Sequence, residues 1–272
     1  MSTIAKFSTL ELRQKKLKLV PGGPKSISLI EEVSPESTVY IDPENLLRLM
    51  PRDESRDLKS LITLEAETLS FNEGWVAYFQ TRLLNGDRLI SFKSTWQVPP
   101  PPSTIHEQTL YLFNGAQTTG SKYSIIQPVL RWATDEKTGE SFWSVASYCV
   151  TSTSQAKHTP YVRVNPGQTL TGLIQFVRME RMNFVYSIEF LNVAGTRMLV
   201  RSAQEFVLLF DTLEIYDIQS CSDLPDTNKT EFINVEVRTK NGSQVQWTEK
   251  DATNACGLGC AKDVGGKLVV FY

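Results

Sequence analysis

Hydrophobic and polar residues alternate with a period of two along most of the chain after about residue 61, and this pattern predicts β-strands. The alternation is clearest from Trp75 to Leu84 and from Arg88 to Trp96, and the segment Asn85–Asp87 between these two runs is typical of a tight turn. We therefore expect a β-hairpin at this position. Further strands are predicted near residues 109–114, 123–132, 142–151, 160–165, 168–178, 183–191, 195–202, 205–218, 231–238, 244–248 and 267–272.

Glycine and proline residues separate these predicted strands, and helical patterns do not alternate with them. The segment Pro99–Pro102 must be a loop, because proline cannot donate the hydrogen bonds of a β-ladder. Many short antiparallel strands with such turns are typical of a sandwich or a barrel. The sequence therefore predicts an all-β protein whose main domain spans residues 71–272.

The first 70 residues have a different character. Basic residues cluster at Arg13–Lys18, and a Pro-Gly-Gly-Pro turn follows. The segment Asp42–Met50 predicts a short helix, because it begins with an aspartate suited to capping and a proline suited to the first helical position. The run Asp53–Ser60 is charged and is typical of a solvated segment. We expect residues 1–70 to form an N-terminal extension that caps the sandwich, and the alternative is a lid over a ligand cleft.

The composition argues against two classes of function. Of the 272 residues, 41% are hydrophobic and 21% are charged, and the net charge of −2 provides no attractive field for nucleic acid. No run of about 18 apolar residues occurs, so we expect no membrane-spanning helix. The first residues lack the apolar core of a signal peptide, which leaves a cytosolic protein or a secreted one whose leader has been removed. The oligomeric state cannot be predicted from these features.

Four cysteines are present, at positions 149, 221, 256 and 260. A structural zinc site needs four ligands, and the two histidines lie far from the close pair Cys256 and Cys260, so we expect no metal. If the protein is secreted, we expect a disulfide from Cys256 to Cys260 or to Cys221. Two Asn-x-Ser/Thr triplets, which begin at Asn228 and Asn241, permit glycosylation of an exported chain.

Two polar side chains interrupt otherwise apolar strands. Gln127 lies within the run Ile125–Leu130, and Glu214 lies within Thr212–Tyr216. A buried polar group that lacks a hydrogen-bond partner costs about 1–3 kcal/mol. Each side chain must therefore be paired inside the fold or face a cleft in which it can act on a ligand.

The order and spacing of several short motifs across residues 90–220 resemble the conserved core of the glutamic peptidases (eqolisins). The third motif is similar to the strand that carries the catalytic glutamine of that family, and the last is similar to the segment that carries its catalytic glutamate. In chain order the motifs are Thr95–Pro99, Phe113–Gly115, Ile125–Gln127, Phe142–Cys149, Val162–Leu170 and Thr212–Tyr216.

This resemblance implies a concanavalin A-like (jelly-roll) antiparallel β-sandwich, with Gln127 and Glu214 as a catalytic pair. We expect the two side chains on adjacent strands, facing one concave surface. In the chemistry of the family, the glutamate removes a proton from the water that attacks a carbonyl carbon, and the glutamine amide donates a hydrogen bond to the developing oxyanion. No metal and no cofactor is required.

The sequence departs from the peptidase pattern at three places. Leucine, at Leu110 or Leu112, replaces the indole of the second strand, Asn114 replaces the aspartate before its glycine, and Pro128 directly follows the glutamine. These changes remove groups that the peptidases use to hold a peptide. The sequence therefore retains the order of the family's motifs but lacks the groups with which the peptidases bind a peptide.

Aromatic residues at alternate strand positions can share one face of a sheet and line a pocket for a small molecule, although most aromatic residues in such positions belong to the core. Among the polar residues, an arginine or an amide can orient an acidic or phenolic ligand. The predicted substrate-binding residues are Trp96, Asn114, Arg131, Trp132, Trp143 and Tyr148.

Three functions compete. The first is a cofactor-independent enzyme of fungal secondary metabolism, of the cyclase or pericyclase type, that acts on a small hydrophobic organic substrate by a reaction such as a hetero-Diels–Alder cycloaddition. This hypothesis depends on analogy between folds. The second is an acid endopeptidase that uses Gln127 and Glu214. The third is a carbohydrate-binding lectin without catalytic activity.

Overall fold

A computed structural model describes residues 17–50, 74–251 and 255–272. The described residues form twenty β-strands and three short 3-10 segments, and no helix among them is long and apolar enough to cross a membrane. The strands are β1 (Leu17–Val20), β2 (Gly23–Ser26), β3 (Ile30–Glu32), β4 (Thr38–Ile41), β5 (Leu47–Leu49), β6 (Trp75–Arg82), β7 (Leu89–Gln97), β8 (Thr109–Gln117), β9 (Ser124–Thr134), β10 (Ser141–Thr151), β11 (Ala156–His158), β12 (Val162–Arg163), β13 (Thr169–Glu180), β14 (Asn183–Phe190), β15 (Met198–Ser202), β16 (Leu208–Tyr216), β17 (Lys229–Thr239), β18 (Thr248–Asp251), β19 (Gly259–Lys262) and β20 (Leu268–Phe271).

Two nine-stranded sheets pack face to face. The front sheet has the order β18–β6–β16–β8–β9–β10–β11–β3, with β12 also paired to β10. The back sheet has the order β19–β20–β17–β7–β13–β14–β15–β4–β5. Nearly all neighbours are antiparallel, and the exceptions among the described strands are β11–β3 and β15–β4, where N-terminal strands add in parallel. The predicted all-β sandwich is confirmed.

The central strands of the front sheet are buried on both faces. All but the last residue of β8 are buried, and β9 and β10 are buried along most of their length, which explains their near-continuous apolar sequences. Their inner faces form the core with the back sheet. Their outer faces carry a separate apolar cluster that includes Tyr111, Val129 and Tyr148 and is covered in part by Val20 of the N-terminal segment. The outer face is therefore a covered surface.

The β-hairpin predicted around Asn85–Asp87 is wrong. β6 pairs with β16 and β18 in the front sheet, whereas β7 pairs with β13 and β17 in the back sheet, so the turn connects the two sheets. The same turn sequence and the same alternation suit a hairpin within one sheet and a connection between two sheets. The difference arises because Phe79 and Phe92 each turn their ring into the core between the sheets, where burial is greatest.

The short helix predicted at Asp42–Met50 is also wrong. The Asp42 carboxylate accepts hydrogen bonds from the backbone N–H groups of Glu44 and Leu46, at 3.0 and 2.8 Å, and ion-pairs with Arg48 at 2.8 Å. These bonds close a turn in place of a first helical turn, and the chain continues into β5, which pairs with β4. Residues 17–50 therefore add strands to both sheets, and residues 1–16 and 51–73, which include most of the predicted cap, lie outside the described residues.

The disulfide joins Cys221 to Cys256, so the expected partner Cys260 is wrong and the alternative Cys221 is correct. Cys260 and Cys149 are buried free thiols. Within the described ranges no group of three or more His, Cys, Asp or Glu side chains is placed to hold a metal ion. The strand expected near residues 244–248 begins only at Thr248, as β18.

Candidate functional site

The alternation of side chains along β9 and β16 turns Gln127 and Glu214 towards the same face of the front sheet. Ile125 and Val129 belong to the apolar cluster on the outer face, and Gln127 lies between them in the same alternation. Phe210 belongs to that cluster too and shares its alternation with Glu214. Both polar side chains therefore point to the outer face of the sheet.

The two side chains are nevertheless not neighbours. Strand β8 lies between β9 and β16, whereas we expected adjacent strands. Glu214 is opposite Tyr111, and Tyr111 is opposite Arg131, which lies four positions from Gln127. Strand spacings of about 4.8 Å and a rise of about 3.4 Å per residue place the Cα atoms of Gln127 and Glu214 roughly 17 Å apart. This distance is too long for the two side chains to share one water molecule, so the arrangement implied by the resemblance is not formed in this structure.

The Glu214 carboxylate is fully buried and is held through one of its oxygen atoms. The backbone N–H of Gly22 donates a hydrogen bond to Oε1 at 2.8 Å, and the Tyr216 hydroxyl donates a second one to the same atom. Burial raises the pKa of Glu214 to about 7, although both hydrogen bonds and the nearby charge of Lys25 oppose the increase. Glu214 is therefore partly ionised near neutral pH and can accept or release a proton there.

The hairpin formed by β1 and β2 covers Glu214. Gly22 in its turn and Gly23 at the start of β2 have φ angles of +90° and +105°, which favour glycine, and this backbone directs the Gly22 N–H at the carboxylate. Lys25 on β2 is only 2% exposed. Burial lowers the pKa of Lys25 to about 8, and the negative charge of Glu214 acts in the opposite direction. The N-terminal segment thus contributes two polar groups to the site.

An aromatic cluster surrounds Arg131, two strands away from Glu214. The guanidinium carbon of Arg131 lies 4.8 Å from the ring centre of Tyr161. The hydroxyl groups of Tyr161 and Tyr148 are hydrogen-bonded to each other. The His158 ring packs against both of these rings, with centre-to-centre distances of 4.9 and 5.1 Å. Arg131 therefore presents its cation on an aromatic surface.

The protonation states of the arginine and the tyrosines make this cluster a donor of hydrogen bonds. Within the described part of the chain, Nε of Arg131 has no hydrogen-bond partner, and the Tyr111 hydroxyl interacts with the Arg131 guanidinium. Burial raises the pKa of Tyr111 above its usual value although the Arg131 charge opposes this, and burial also raises the pKa of Tyr148. The pKa of Arg131 lies above its usual value, because the nearby hydroxyl groups of Tyr161 and Tyr111 outweigh the effect of burial. At neutral pH the cluster therefore contains one cation and neutral phenol groups.

Gln127 lies at the tyrosine end of this cluster. It is opposite Tyr148 on β10 and is only 1% exposed. Its Oε1 has no hydrogen-bond partner among the described residues. Gln127 thus faces the outer cluster as an amide whose oxygen is unpaired.

The neighbouring strand β8 carries a glycine on the same face. The ring of Phe210 packs so closely on Gly115 that a Cβ atom there would lie 2.1 Å from the ring, which explains why glycine occupies this position in β8.

The structure divides the predicted substrate-binding residues between the outer face of the front sheet and the core between the two sheets. Arg131 and Tyr148 lie on the outer face with Gln127 and Glu214. The indole rings of Trp132 and Trp143 pack together at 5.4 Å on the inner face. The residues that lie between the sheets, and therefore do not line the outer face as expected, are Trp96, Asn114, Trp132 and Trp143.

Asn114 belongs to a buried polar group between the sheets. Its amide donates to the carbonyl oxygen of Gly172 at 3.4 Å, and Asp211 lies opposite it on β16. Burial raises the pKa of Asp211 to about 8, and the hydroxyl of Ser94 opposes the increase. Asp211 is therefore mostly protonated at neutral pH. This carboxyl group was not among the site residues predicted from the sequence.

Five residues of the outer site were missed from the sequence: Lys25, Tyr111, His158, Tyr161 and Tyr216. Tyr216 follows Glu214 by two positions and so shares its face, a signal that the alternation contained. Tyr111 lies in a strand that was correctly predicted, but its pairing with Glu214 depends on the strand order. Lys25 and Tyr161 reach the site through long-range packing, for which the sequence offers no local signal.

Comparisons with known proteins identify a similar fold. No family model and no curated protein matches the chain. Among solved structures it is similar to "Crystal structure of Scytalido-glutamic peptidase with a peptide based transition state analog", with 13% sequence identity, a TM-score of 0.47, and coverage of 73% of this chain and 98% of that one. It is also similar to SCP-B, a member of the eqolisin family of peptidases in a complex with the tripeptide Ala-Ile-His, with 12% identity, a TM-score of 0.44 and the same coverage. The resemblance to the glutamic peptidases is thus found among structures, at the level of the fold alone.

Proposed function

We propose that this protein is a cofactor-independent enzyme that binds a small hydrophobic carbonyl compound and accelerates its cyclisation by donating hydrogen bonds to the carbonyl oxygen. The observation that supports this most directly is the Arg131 guanidinium, which lies against Tyr161 and beside Tyr111 while its Nε is unpaired in the described part of the chain. A cation held among rings in this way is suited to an apolar ligand with one polar oxygen.

The cluster contains the groups that a cycloaddition requires. In a hetero-Diels–Alder reaction, a conjugated enone and an alkene form two σ bonds and one new π bond from three π bonds, and no proton, electron or leaving group is transferred. Donors placed at the carbonyl oxygen stabilise the charge that builds there in the transition state. Arg131 and Tyr111 are these donors, while the rings of Tyr161 and Tyr148 hold the reacting partners together.

Access to the cluster differs from access to Glu214. The Arg131 and Tyr161 side chains are partly exposed, whereas Tyr111 and the Nε atom of Arg131 are buried, so a small molecule reaches these two donors only when the surrounding side chains move. Glu214 lies under the hairpin β1–β2 and binds the backbone of Gly22. In this proposal Glu214 is a positioning residue, which holds Tyr216 and the hairpin at the edge of the cluster.

A binding experiment tests the role of Arg131 without knowledge of the natural substrate. An aryl methyl ketone labelled with ¹³C at its carbonyl is added to the protein, and the carbonyl stretch is followed by infrared difference spectroscopy. We expect a shift to lower frequency in the wild type and in Arg163→Met, because Arg163 is exposed and paired with Glu140. Arg131→Met should abolish the shift. An unshifted band in the wild type, or a shift that survives in Arg131→Met, contradicts the proposal.

A rate measurement extends the test to catalysis. The probe is an enone that carries a tethered alkene, and chiral chromatography measures the rate and the enantiomeric excess of its cyclised product. We expect a faster reaction and one preferred enantiomer, with a loss of roughly ten- to a thousand-fold in Arg131→Met, the effect of removing one electrostatic donor. A racemic product formed at the background rate shows that the protein does not catalyse this reaction.

The second candidate is a glutamic-type acid endopeptidase. It is favoured by the placement of Gln127 and Glu214 on one face of the front sheet. This function requires movement of the hairpin and a closer approach of the two side chains. The test is cleavage of denatured casein between pH 2 and pH 6. Cleavage by the wild type that is lost in both Glu214→Gln and Gln127→Ala supports the peptidase, and uncleaved casein excludes it.

A further inference from the structure

The two Asn-x-Ser/Thr triplets of the sequence lie at opposite ends of a single strand. Asn228 directly precedes β17, and Asn241 follows its end by two residues. Both asparagine side chains are exposed. β17 has 11 residues, so at about 3.4 Å per residue the two sites are separated by roughly 40 Å. Each asparagine is therefore open to a large modifying group without interference from the other.

Asn241 lies in a turn whose backbone is held by hydrogen bonds to residues outside its triplet. The N–H of Asn241 donates to the Asp87 carboxylate at 3.0 Å, and the N–H of Gly242 donates to the carbonyl of Thr239 at 3.2 Å. Ser243 is partly exposed and donates its own N–H to the Thr239 hydroxyl at 2.8 Å. The Asn241 amide is therefore on the surface of the folded protein, and the hydroxyl of the partly exposed Ser243 interacts with the Asp87 carboxylate.

The triplet at Asn228 differs in the environment of the residue that carries its hydroxyl group, Thr230. Thr230 is only 5% exposed, and its hydroxyl is hydrogen-bonded to the hydroxyl of Tyr272, the last residue of the chain, at 2.6 Å. The carbonyl of Asn228 also accepts the N–H of Tyr272 at 3.1 Å. An enzyme that must recognise both Asn228 and Thr230 can reach the hydroxyl only before the C-terminal strand β20 packs against β17.

The disulfide Cys221–Cys256 is an independent indication of the same compartment. Disulfides persist in exported proteins and are rare in the cytosol. This bond encloses both triplets, since Cys221 precedes Asn228 and Cys256 follows Asn241. A chain that acquires the disulfide in a eukaryotic secretory compartment is exposed there to the enzyme that modifies such triplets.

We propose that the chain is N-glycosylated at Asn241 and Asn228 in an oxidising secretory compartment, with Asn228 modified before folding is complete. The donor is an oligosaccharide linked through pyrophosphate to a lipid. The side-chain amide nitrogen forms a bond to C1 of the first sugar and loses one proton, while the bond from C1 to the lipid pyrophosphate breaks and the lipid pyrophosphate leaves.

The positions of the two sites are compatible with the function of the outer face. β17 belongs to the back sheet, whereas Glu214, Arg131 and Tyr111 lie on the outer face of the front sheet. Two glycans at the ends of β17 extend from the other side of the sandwich. They add hydrophilic surface beside the back sheet, away from the aromatic cluster around Arg131.

Site occupancy tests the proposal directly. The full chain is expressed behind a cleavable secretion leader in insect cells, deglycosylated with an amidase in ¹⁸O water, and analysed by peptide mass spectrometry. We expect the heavy aspartate label at positions 228 and 241 and none at the exposed Asn192, which is not part of a triplet. Asn228→Gln and Asn241→Gln should each remove one glycan from the intact mass. Label at neither position would overturn the proposal.

The order of modification needs a second experiment on the folded protein. Unglycosylated protein is prepared in an oxidising bacterial compartment, folded with its disulfide intact, and incubated with purified oligosaccharyltransferase and its lipid-linked donor. We expect modification at Asn241 and at least ten-fold less at Asn228, because Thr230 is buried against Tyr272. Heat-unfolded, reduced protein serves as the positive control for Asn228. Equal modification of both sites in the folded protein would overturn the proposed order.

Discussion

At the scale of single residues, the described part of the front sheet has a fully buried carboxyl group on each face. Glu214 is buried on the outer face and Asp211 on the inner face, and burial raises their pKa values to about 7 and about 8. In the unfolded chain both groups ionise near pH 4. Below pH 4 both groups are protonated in the folded and in the unfolded protein, so they do not change the free energy of unfolding. This free energy decreases as the pH rises from 4 towards 8.

Asp211→Asn should remove a large part of this pH dependence. The amide has the shape of the protonated carboxyl group but cannot ionise, so the variant is expected to lose less stability than the wild type between pH 4 and pH 8. A pKa change from 3.8 to about 8 corresponds to a difference on the order of 5 kcal/mol over that range. Urea denaturation at pH 4.5 and pH 8 measures the effect, with Asp226→Asn at an exposed position as the control. Identical pH dependence in Asp211→Asn and the wild type would contradict the assignment.

The same residues show what alternation can and cannot predict. The side chains of Gln127 and Glu214 follow the period of two, so the face that each one shares with its neighbours on its own strand could be read from the sequence. The distance between them could not, because it depends on β8 being inserted between their strands. Trp132 and Arg131 show the limit most clearly: they are consecutive, they were assigned to one surface, and they necessarily point to opposite faces of β9.

At the scale of elements, the hairpin β1–β2 is tied to the site by charge as well as by a backbone hydrogen bond. Lys25 is buried beside Glu214, and its positive charge lowers the pKa of that carboxyl group. Removing one partner of a buried charge pair leaves the other uncompensated and commonly costs about 3–5 kcal/mol. The hairpin should therefore be least stable when Glu214 is ionised and Lys25 is absent.

Lys25→Met should accordingly raise the pKa of Glu214 above about 7 and loosen the hairpin at alkaline pH. Carboxyl ¹³C NMR of protein labelled at glutamate measures the pKa, and hydrogen exchange of the Gly22 amide, which donates to Glu214, reports the loosening. After correction for the base-catalysed intrinsic rate, we expect the protection factor of the Gly22 amide to fall below that of the wild type at pH 8 by more than it does at pH 5. Lys18→Met is the matched control, since Lys18 lies on β1 of the same hairpin and is partly exposed. An unchanged pKa in Lys25→Met would show that the lysine does not stabilise the carboxylate.

Two element predictions were wrong for related physical reasons. The segment Asp42–Met50 has the residues of a helix start, but the Asp42 carboxylate binds three groups of a turn and β5 gains a partner in β4. The turn Asn85–Asp87 joins two strands of opposite sheets, because packing between the sheets outweighs direct pairing of β6 with β7. In both cases local sequence preference was overridden by tertiary contacts.

At the scale of the whole molecule, the sequence predicted the sandwich because the strands β8, β9, β10, β13 and β14 are long and strongly patterned. The short strands β3, β4 and β5 were not predicted, since three or four residues carry too little periodicity. These strands add to the edges of both sheets and bring the N-terminal segment onto the outer face. The composition of residues 1–70 indicated an appendage, whereas the structure integrates residues 17–50 into the sandwich.

The disulfide links the two sheets through their connections. Cys221 lies just after β16 of the front sheet, and Cys256 lies just before β19 of the back sheet, with 35 residues of sequence separation. In the chain-entropy model, closing a loop of this length in the unfolded chain stabilises the folded protein by about 4 kcal/mol. We expect the double variant Cys221→Ser/Cys256→Ser to unfold at a lower urea concentration than the wild type. Dithiothreitol should destabilise the wild type to the same level and leave the double variant unchanged, because the two remaining cysteines are free thiols. A wild-type protein whose unfolding midpoint does not respond to reductant would show that the bond between the sheets contributes no stability.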